Sequence, residues 1–236
     1  LRTCLADLAD LGEAGATRFH FGAAHTRTDG FSSADPAFVP TPWTFAPADI
    51  DDDAYRNTTL NLNLSHRLAG GHEFGLSAYR TRGDIEFDGS MQNASEQTLT
   101  AVSAYSENRW HPDWLSRVQL SQGSDDLSAS LDGVPTDRFR TRNRQIDWDN
   151  TVNTGPGTLR IGLAGLWQRL ESDAAFARDA RRVASLAAGY TAALGAHDVQ
   201  LNLRRDDYSD FGGATTALAG YGYRMTPRTR VSASVS

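Results

Sequence analysis

The sequence has a single cysteine, Cys4, among 236 residues, which excludes an intrachain disulfide and any cysteine-rich metal site. It has no apolar run near the roughly 18 residues that a membrane-crossing helix needs, so only strands could carry it through a bilayer. Leu1 to Leu11 is broken by Arg2, Asp7 and Asp10, and so lacks the apolar centre of a secretory signal; the expectation is a cytoplasmic protein or an incomplete chain. An excess of positive charge is missing as well. With 23 basic against 29 acidic residues and a net charge of -6, the chain gives no broad electrostatic case for a nucleic-acid partner. The 6 histidines are scattered, with no His-x-x-x-His or Glu-x-x-His spacing, and there is neither a Gly-x-Ser-x-Gly elbow nor a phosphate-binding glycine loop. Nothing in these residues points to an enzyme.

What is present is alternation. Phe19, Phe21 and Ala23 alternate with His20 and Gly22; Leu60, Leu62 and Leu64 with Asn61 and Asn63; Leu159, Ile161 and Leu163 with Arg160 and Gly162; Val199, Leu201 and Leu203 with Gln200 and Asn202. A period of two is the mark of strands with one apolar face. The spacing predicts about eleven strands in an antiparallel meander, with residues 1–15 an unmatched irregular or helix-like lead. Short turns such as Ala69-Gly70-Gly71 and Thr154-Gly155-Pro156-Gly157 take turns with longer loops at 28–53, 83–95, 124–139 and 171–181. Transmembrane barrels combine strands of about 9 to 11 residues with short turns on one side and long loops on the other, and the mean hydropathy of -0.47 suits strands that put apolar residues out and polar ones in. Trp43, Trp110, Trp114, Tyr55 and Tyr105 fall near the expected strand ends, where an interfacial girdle sits.

Three stretches carry a resemblance. Arg205-Asp206-Asp207-Tyr208-Ser209-Asp210-Phe211-Gly212, with the strand ending Gly220-Tyr221-Gly222-Tyr223 and then Arg230-Val231-Ser232-Ala233-Ser234, resembles the barrel of TonB-dependent outer-membrane receptors, and within that group the cobalamin transporters. Thr26-Arg27-Thr28-Asp29-Gly30-Phe31-Ser32 and the run Asp51 to Leu62 support it, over residues 16–236. The resemblance implies a barrel of about 22 strands in the outer membrane of a Gram-negative bacterium, of which this chain is about half, without the plug domain. It implies uptake of a bulky ligand, cobalamin or an iron chelate, powered through the TonB complex, with outer-membrane lipid as the other partner. Two readings of other classes stand beside it: a complete soluble or surface all-β binding domain, and a passive porin-like channel.

The densest carboxylate cluster is Asp49, Asp51, Asp52 and Asp53. Hard cations such as calcium take 6 to 8 oxygen ligands, and the resemblance to the cobalamin transporters implies calcium at Asp51 and Asp53, with Asp84 or Asp88 as further carboxylates; a solvated acidic loop is the alternative. Arg204, Arg205, Asp206, Asp207 and Asp210 are expected to shape a loop, with Gly212 and Gly213 giving backbone freedom. Arg140, Arg142 and Arg144 share one face of a strand and are expected to point into a polar lumen. The lipid-facing set is Leu60, Leu62, Leu64, Leu159, Ile161, Leu163, Val199, Leu201 and Leu203.

Overall fold

A computed structural model describes residues 2–32, 52–89 and 91–236. Their strands are β1 (Thr3–Ala14), β2 (Thr17–Thr28), β3 (Tyr55–Leu68), β4 (His72–Glu86), β5 (Ala94–His111), β6 (Trp114–Leu131), β7 (Val134–Asn153), β8 (Gly157–Ser172), β9 (Ala180–Leu194), β10 (His197–Tyr208), β11 (Gly212–Thr226) and β12 (Thr229–Val235). They form one 12-stranded antiparallel sheet whose spatial order is the sequence order. The all-β meander is as expected, with one strand more.

The extra strand is the correction to the reading of residues 1–15 as an irregular lead: Thr3 to Ala14 pairs residue for residue with Thr28 to Thr17. Leu5, Leu8 and Leu11 recur every third residue, so they fall on alternate faces of a strand and leave no period of two to read. A second correction concerns 124–139, expected as a loop. Here β6 and β7 run on to a tight turn at Asp132 and Gly133, both with positive φ (51° and 78°), the backbone that an Asp-Gly hairpin turn requires.

All six connections on one side of the sheet are two or three residues long. On the other side they are residues 29–54, 87–93, 132–133, 173–179 and 209–211. The central strands β5, β6 and β7 have 18, 18 and 20 residues, well beyond the 9 to 11 that cross a bilayer, and their excess lies toward the longer-loop side.

Register fixes the faces. Phe21 stands opposite Leu62, Leu62 opposite Ala78 and Ala78 opposite Val102. On the next level Leu64, Leu76, Ala104, Leu120 and Ile146 follow one another across β3 to β7. Ile161, Ala188, Leu203 and Ala217 continue the same face through β8 to β11. The result is an unbroken apolar band from β2 to β12, and all nine expected lipid-facing residues lie on it. Its short-turn border is aromatic: Trp110, Trp114 and Trp148 stand there, with Trp114 Nε1 donating to Asn150 Oδ1 at 3.0 Å and Trp148 Nε1 donating to Ser116 Oγ at 2.9 Å. Tyr105, expected near a strand end, is instead mid-strand on the polar face, opposite Gly75; Trp43 lies outside the described residues.

Among the described residues no second layer covers the band. Among the described residues the buried apolar side chains are only Ala129, Val183 and Ala192, and the accessible surface is 15970 Å². A compact monomer of 25.7 kDa exposes about 10,400 Å². The excess is the two open faces of a single sheet.

Candidate functional site

The face opposite the band is polar because the alternate residues are Asn, Ser, Gln, Arg and Glu. Its centre is Glu73, near the start of β4. Arg18 Nη2 donates to Glu73 Oε2 at 2.6 Å, Arg67 Nε to the same oxygen at 3.2 Å, and the Tyr105 hydroxyl to Oε1 at 2.7 Å. A Cβ on Gly75 would collide with the Tyr105 ring, so the glycine lets the ring lie flat across the neighbouring strand. The Arg117 guanidinium stacks over that ring at 3.8 Å and also reaches Gln119 and Glu107. Further along the same face, Arg204 holds Asp206 through Nε and Nη2 at 2.7 and 2.8 Å, and Ser185 donates to Asp206 as well. Charged hydrogen bonds of this kind line a polar interior and offer donors and acceptors to a ligand or a packed domain.

The expected acidic site is reached only in part. Asp49 and Asp51 lie outside the described residues. Asp53 lies two residues before β3 and is half-buried, and its Oδ1 is buried without a hydrogen-bond partner among the described residues. Asp84 stands on β4 opposite Arg56 and Glu96, on the outward face. Among the described residues no three His, Cys, Asp or Glu side chains converge in a metal-sized group.

The charged segment from Arg205 to Gly212 closes a hairpin. Ser209 N–H donates to Arg182 O, Arg182 N–H donates to Ser209 Oγ, and Tyr208 stacks on Phe211 at 4.2 Å between ring centroids. Gly212 takes φ +89°, which favours glycine, whereas the Cβ-free space at Gly213 is filled by the ends of Arg205 and Asp207. Of the two glycines, then, Gly212 alone supplies backbone freedom.

Arg140, Arg142 and Arg144 correct another expectation. They share the face of Ile146 and Trp148, as the pairings of Leu120 with Ile146 and of Gln122 with Arg144 show, so they point out with the band. They stand beyond its edge, on the part of β7 nearer the Asp132-Gly133 turn. Parity along this 20-residue strand is visible in the sequence, but which parity shares the apolar face is set only by its pairing with β6. In that part of β7 Arg138 grips Asp126 at 2.9 and 3.2 Å. The hydrogen bond from Arg138 holds the Asp126 carboxyl below its ordinary range, against a smaller opposing effect of burial.

No protein-family model and no curated protein matches the sequence. Solved structures do. A mutant of the ferric enterobactin receptor (PfeA) of Pseudomonas aeruginosa matches with TM-score 0.78 at 14% identity, over 98% of this chain and 40% of its own. The FrpB iron transporter of Neisseria meningitidis matches with TM-score 0.72 at 11% identity, over 98% of this chain and 43% of its own. The ferripyoverdine receptor of the Pseudomonas aeruginosa outer membrane, bound to ferripyoverdine, matches with TM-score 0.71 at 15% identity, over 98% of this chain and 40% of its own. The sheet therefore has the fold of part of a TonB-dependent receptor barrel, and the chain spans about two fifths of the length of these receptors.

Proposed function

We propose that this chain is a segment of the β-barrel of an outer-membrane, TonB-dependent receptor that takes up an iron chelate. The observation that carries the reading is the unbroken apolar band, over which the described residues place no second layer. A water-soluble sheet buries such a face against a second layer, and a barrel buries it in lipid. The strands β1 and β12 each have one neighbour, and an unpaired row of N–H and C=O groups costs several kcal/mol per group in hydrocarbon. In this reading further strands of the receptor cover both edges, and a plug domain that couples to the TonB complex fills the polar face around Glu73.

Iron chelates are favoured over cobalamin because the matched structures are named for enterobactin, iron and ferripyoverdine; the cobalamin likeness rests on short loop motifs alone. The same reading keeps Asp51 and Asp53 as ligands of a calcium ion that orders the 29–54 loop. The buried, unpartnered Oδ1 of Asp53 fits a cation ligand, since a lone buried carboxylate oxygen otherwise goes uncompensated.

The test is a titration of the full-length receptor in detergent with ferric catecholate, ferric hydroxamate and cobalamin, followed by quenching of tryptophan fluorescence. Saturable binding of a ferric chelate supports the reading; binding of cobalamin alone overturns the ligand assignment. A protein that is monodisperse without detergent overturns the barrel. Calorimetry with calcium, before and after Asp51→Ala and Asp53→Ala, shows no difference if those carboxylates are merely solvated.

A further inference from the structure

Every Arg, Asp or Glu that strands β2 to β12 place on the apolar face lies on the longer-loop side of the band, and arginines outnumber carboxylates there. The short-turn border has aromatic and uncharged side chains instead. The sequence contains no lysine, so all 23 basic residues are arginine. Its planar fork matches phosphate oxygens in pairs.

The excess is sharpest across β7, β8 and β9. Arg144 stands opposite Trp167, Trp167 opposite Arg182, and Arg142 opposite Arg169. Like charges directly opposed on one face destabilise a sheet. Glu171 lies 3.4 Å from Arg142, and the other carboxylates near the cluster are taken up by neighbouring arginines, Asp126 by Arg138 and Arg140 and Asp207 by Arg205; among the described residues no carboxylate ion-pairs with Arg144, Arg169 or Arg182, and all three are exposed. Two strand spacings make the cluster about 10 Å wide and one side-chain repeat makes it about 7 Å tall. Below it on the same face come Ile146 and, one repeat past Gly165 and Ala184, Leu163 and Leu186, each at least 39% exposed.

We propose that Arg142, Arg144, Arg169 and Arg182, with Trp167 among them, bind the phosphorylated headgroup of an anionic lipid in the outer leaflet while its acyl chains lie on the adjoining band. The inference rests on the barrel reading and deepens it by naming a partner for the outward face. Charge complementarity selects phosphate, and continuity of the cluster with the band selects a lipid over a free anion. Anionic headgroups attract surface arginines, and an anion between Arg142 and Arg169 relieves the repulsion that the sheet otherwise keeps.

The experiment uses the full-length receptor in phosphatidylcholine nanodiscs containing either phosphatidic acid or diacylglycerol, with retained lipid measured by native mass spectrometry after mild detergent extraction. The parent protein retains phosphatidic acid over diacylglycerol. The triple variant Arg144→Gln, Arg169→Gln, Arg182→Gln loses at least tenfold of that retention, whereas Arg138→Gln, whose arginine is already held by Asp126, keeps it. Equal retention by parent and triple variant overturns the inference, and so does displacement of the lipid by millimolar inorganic phosphate, which marks a free-anion site. Heat-modifiable migration on a gel is checked first for each protein. A parent without it sinks the barrel reading as well, so the two failures are told apart.

Discussion

Replacing Leu62 by arginine tests which way the sheet faces. Leu62 is central in the apolar row of β3, with Leu60 and Leu64 on either side and Phe21 and Ala78 directly opposite. It is 37% exposed within the sheet, so the sheet itself leaves its side chain open to whatever lies outside. If that is hydrocarbon, an arginine at mid-depth costs about 2 to 4 kcal/mol, a shift of roughly 30- to 700-fold in the folded to unfolded ratio. The neighbouring Asn63 points the other way, among Ser77 and His20, and Asn63→Arg there costs roughly 0.5 kcal/mol or less, as a polar surface change does. Both variants are made in the full-length receptor and unfolded by urea from phosphatidylcholine vesicles, with tryptophan fluorescence as the readout. A neutral Leu62→Arg refutes the orientation, and a costly Asn63→Arg with it would invert the faces.

Glu73→Ala removes the acceptor for Arg18, Arg67 and Tyr105 at once, and is expected to cost about 1 to 3 kcal/mol in the same assay. Glu107→Ala, which loses one 3.5 Å pair with Arg117, costs about 0 to 1 kcal/mol. Gly212→Val forces a branched side chain to φ +89° and costs about 1 to 3 kcal/mol, while Gly213→Ala displaces only the flexible ends of Arg205 and Asp207 and is nearly neutral by urea midpoint. In the barrel reading Asp126 lies on the part of β6 that projects beyond the lipid, and its folded carboxyl is held low by Arg138. Its contribution is therefore complete above the unfolded value near 3.9 and is lost as pH falls through the lower folded value. The urea midpoint of the parent drops more between pH 6 and pH 3 than that of Arg138→Gln; equal drops refute the pairing as its cause.

Most of this fold is legible because strands such as β2, β3, β8 and β10 keep a period of two, and their Leu, Phe, Val and Ile on alternate residues leave little freedom in register. The turns were readable where Gly-Gly or Gly-Pro-Gly punctuated the chain. Asp132-Gly133 carried an equally good hairpin signal, but the residues around it, Asp125, Asp126, Ser128, Ser130, Asp137 and Arg138, are polar on both faces and looked like loop. The same mixture of polar residues hid the orientation of Arg140, Arg142 and Arg144: they alternate regularly, but only pairing with β6 shows that they share the face of Ile146 and Trp148. β1 was hidden for a different reason, since Leu5, Leu8 and Leu11 spread over both faces. Of the acidic cluster, only Asp52 and Asp53 fall within the described residues, and Glu73, the hub of the polar face, was missed. An isolated glutamate gives no pattern, and only pairing across β2, β3, β4 and β5 gathers its three partners.

Because spatial order equals sequence order throughout, the sheet is assembled like a zip fastener, each tooth engaging the one synthesised just before it. No strand waits for a distant partner, so hairpins can close one after another and loop-closure entropy stays small at every step. The same arrangement makes the hairpin a unit of growth. Duplicating or deleting one pair of strands widens or narrows the wall by two places and leaves every other pairing, and the inside and outside of every other residue, as they were.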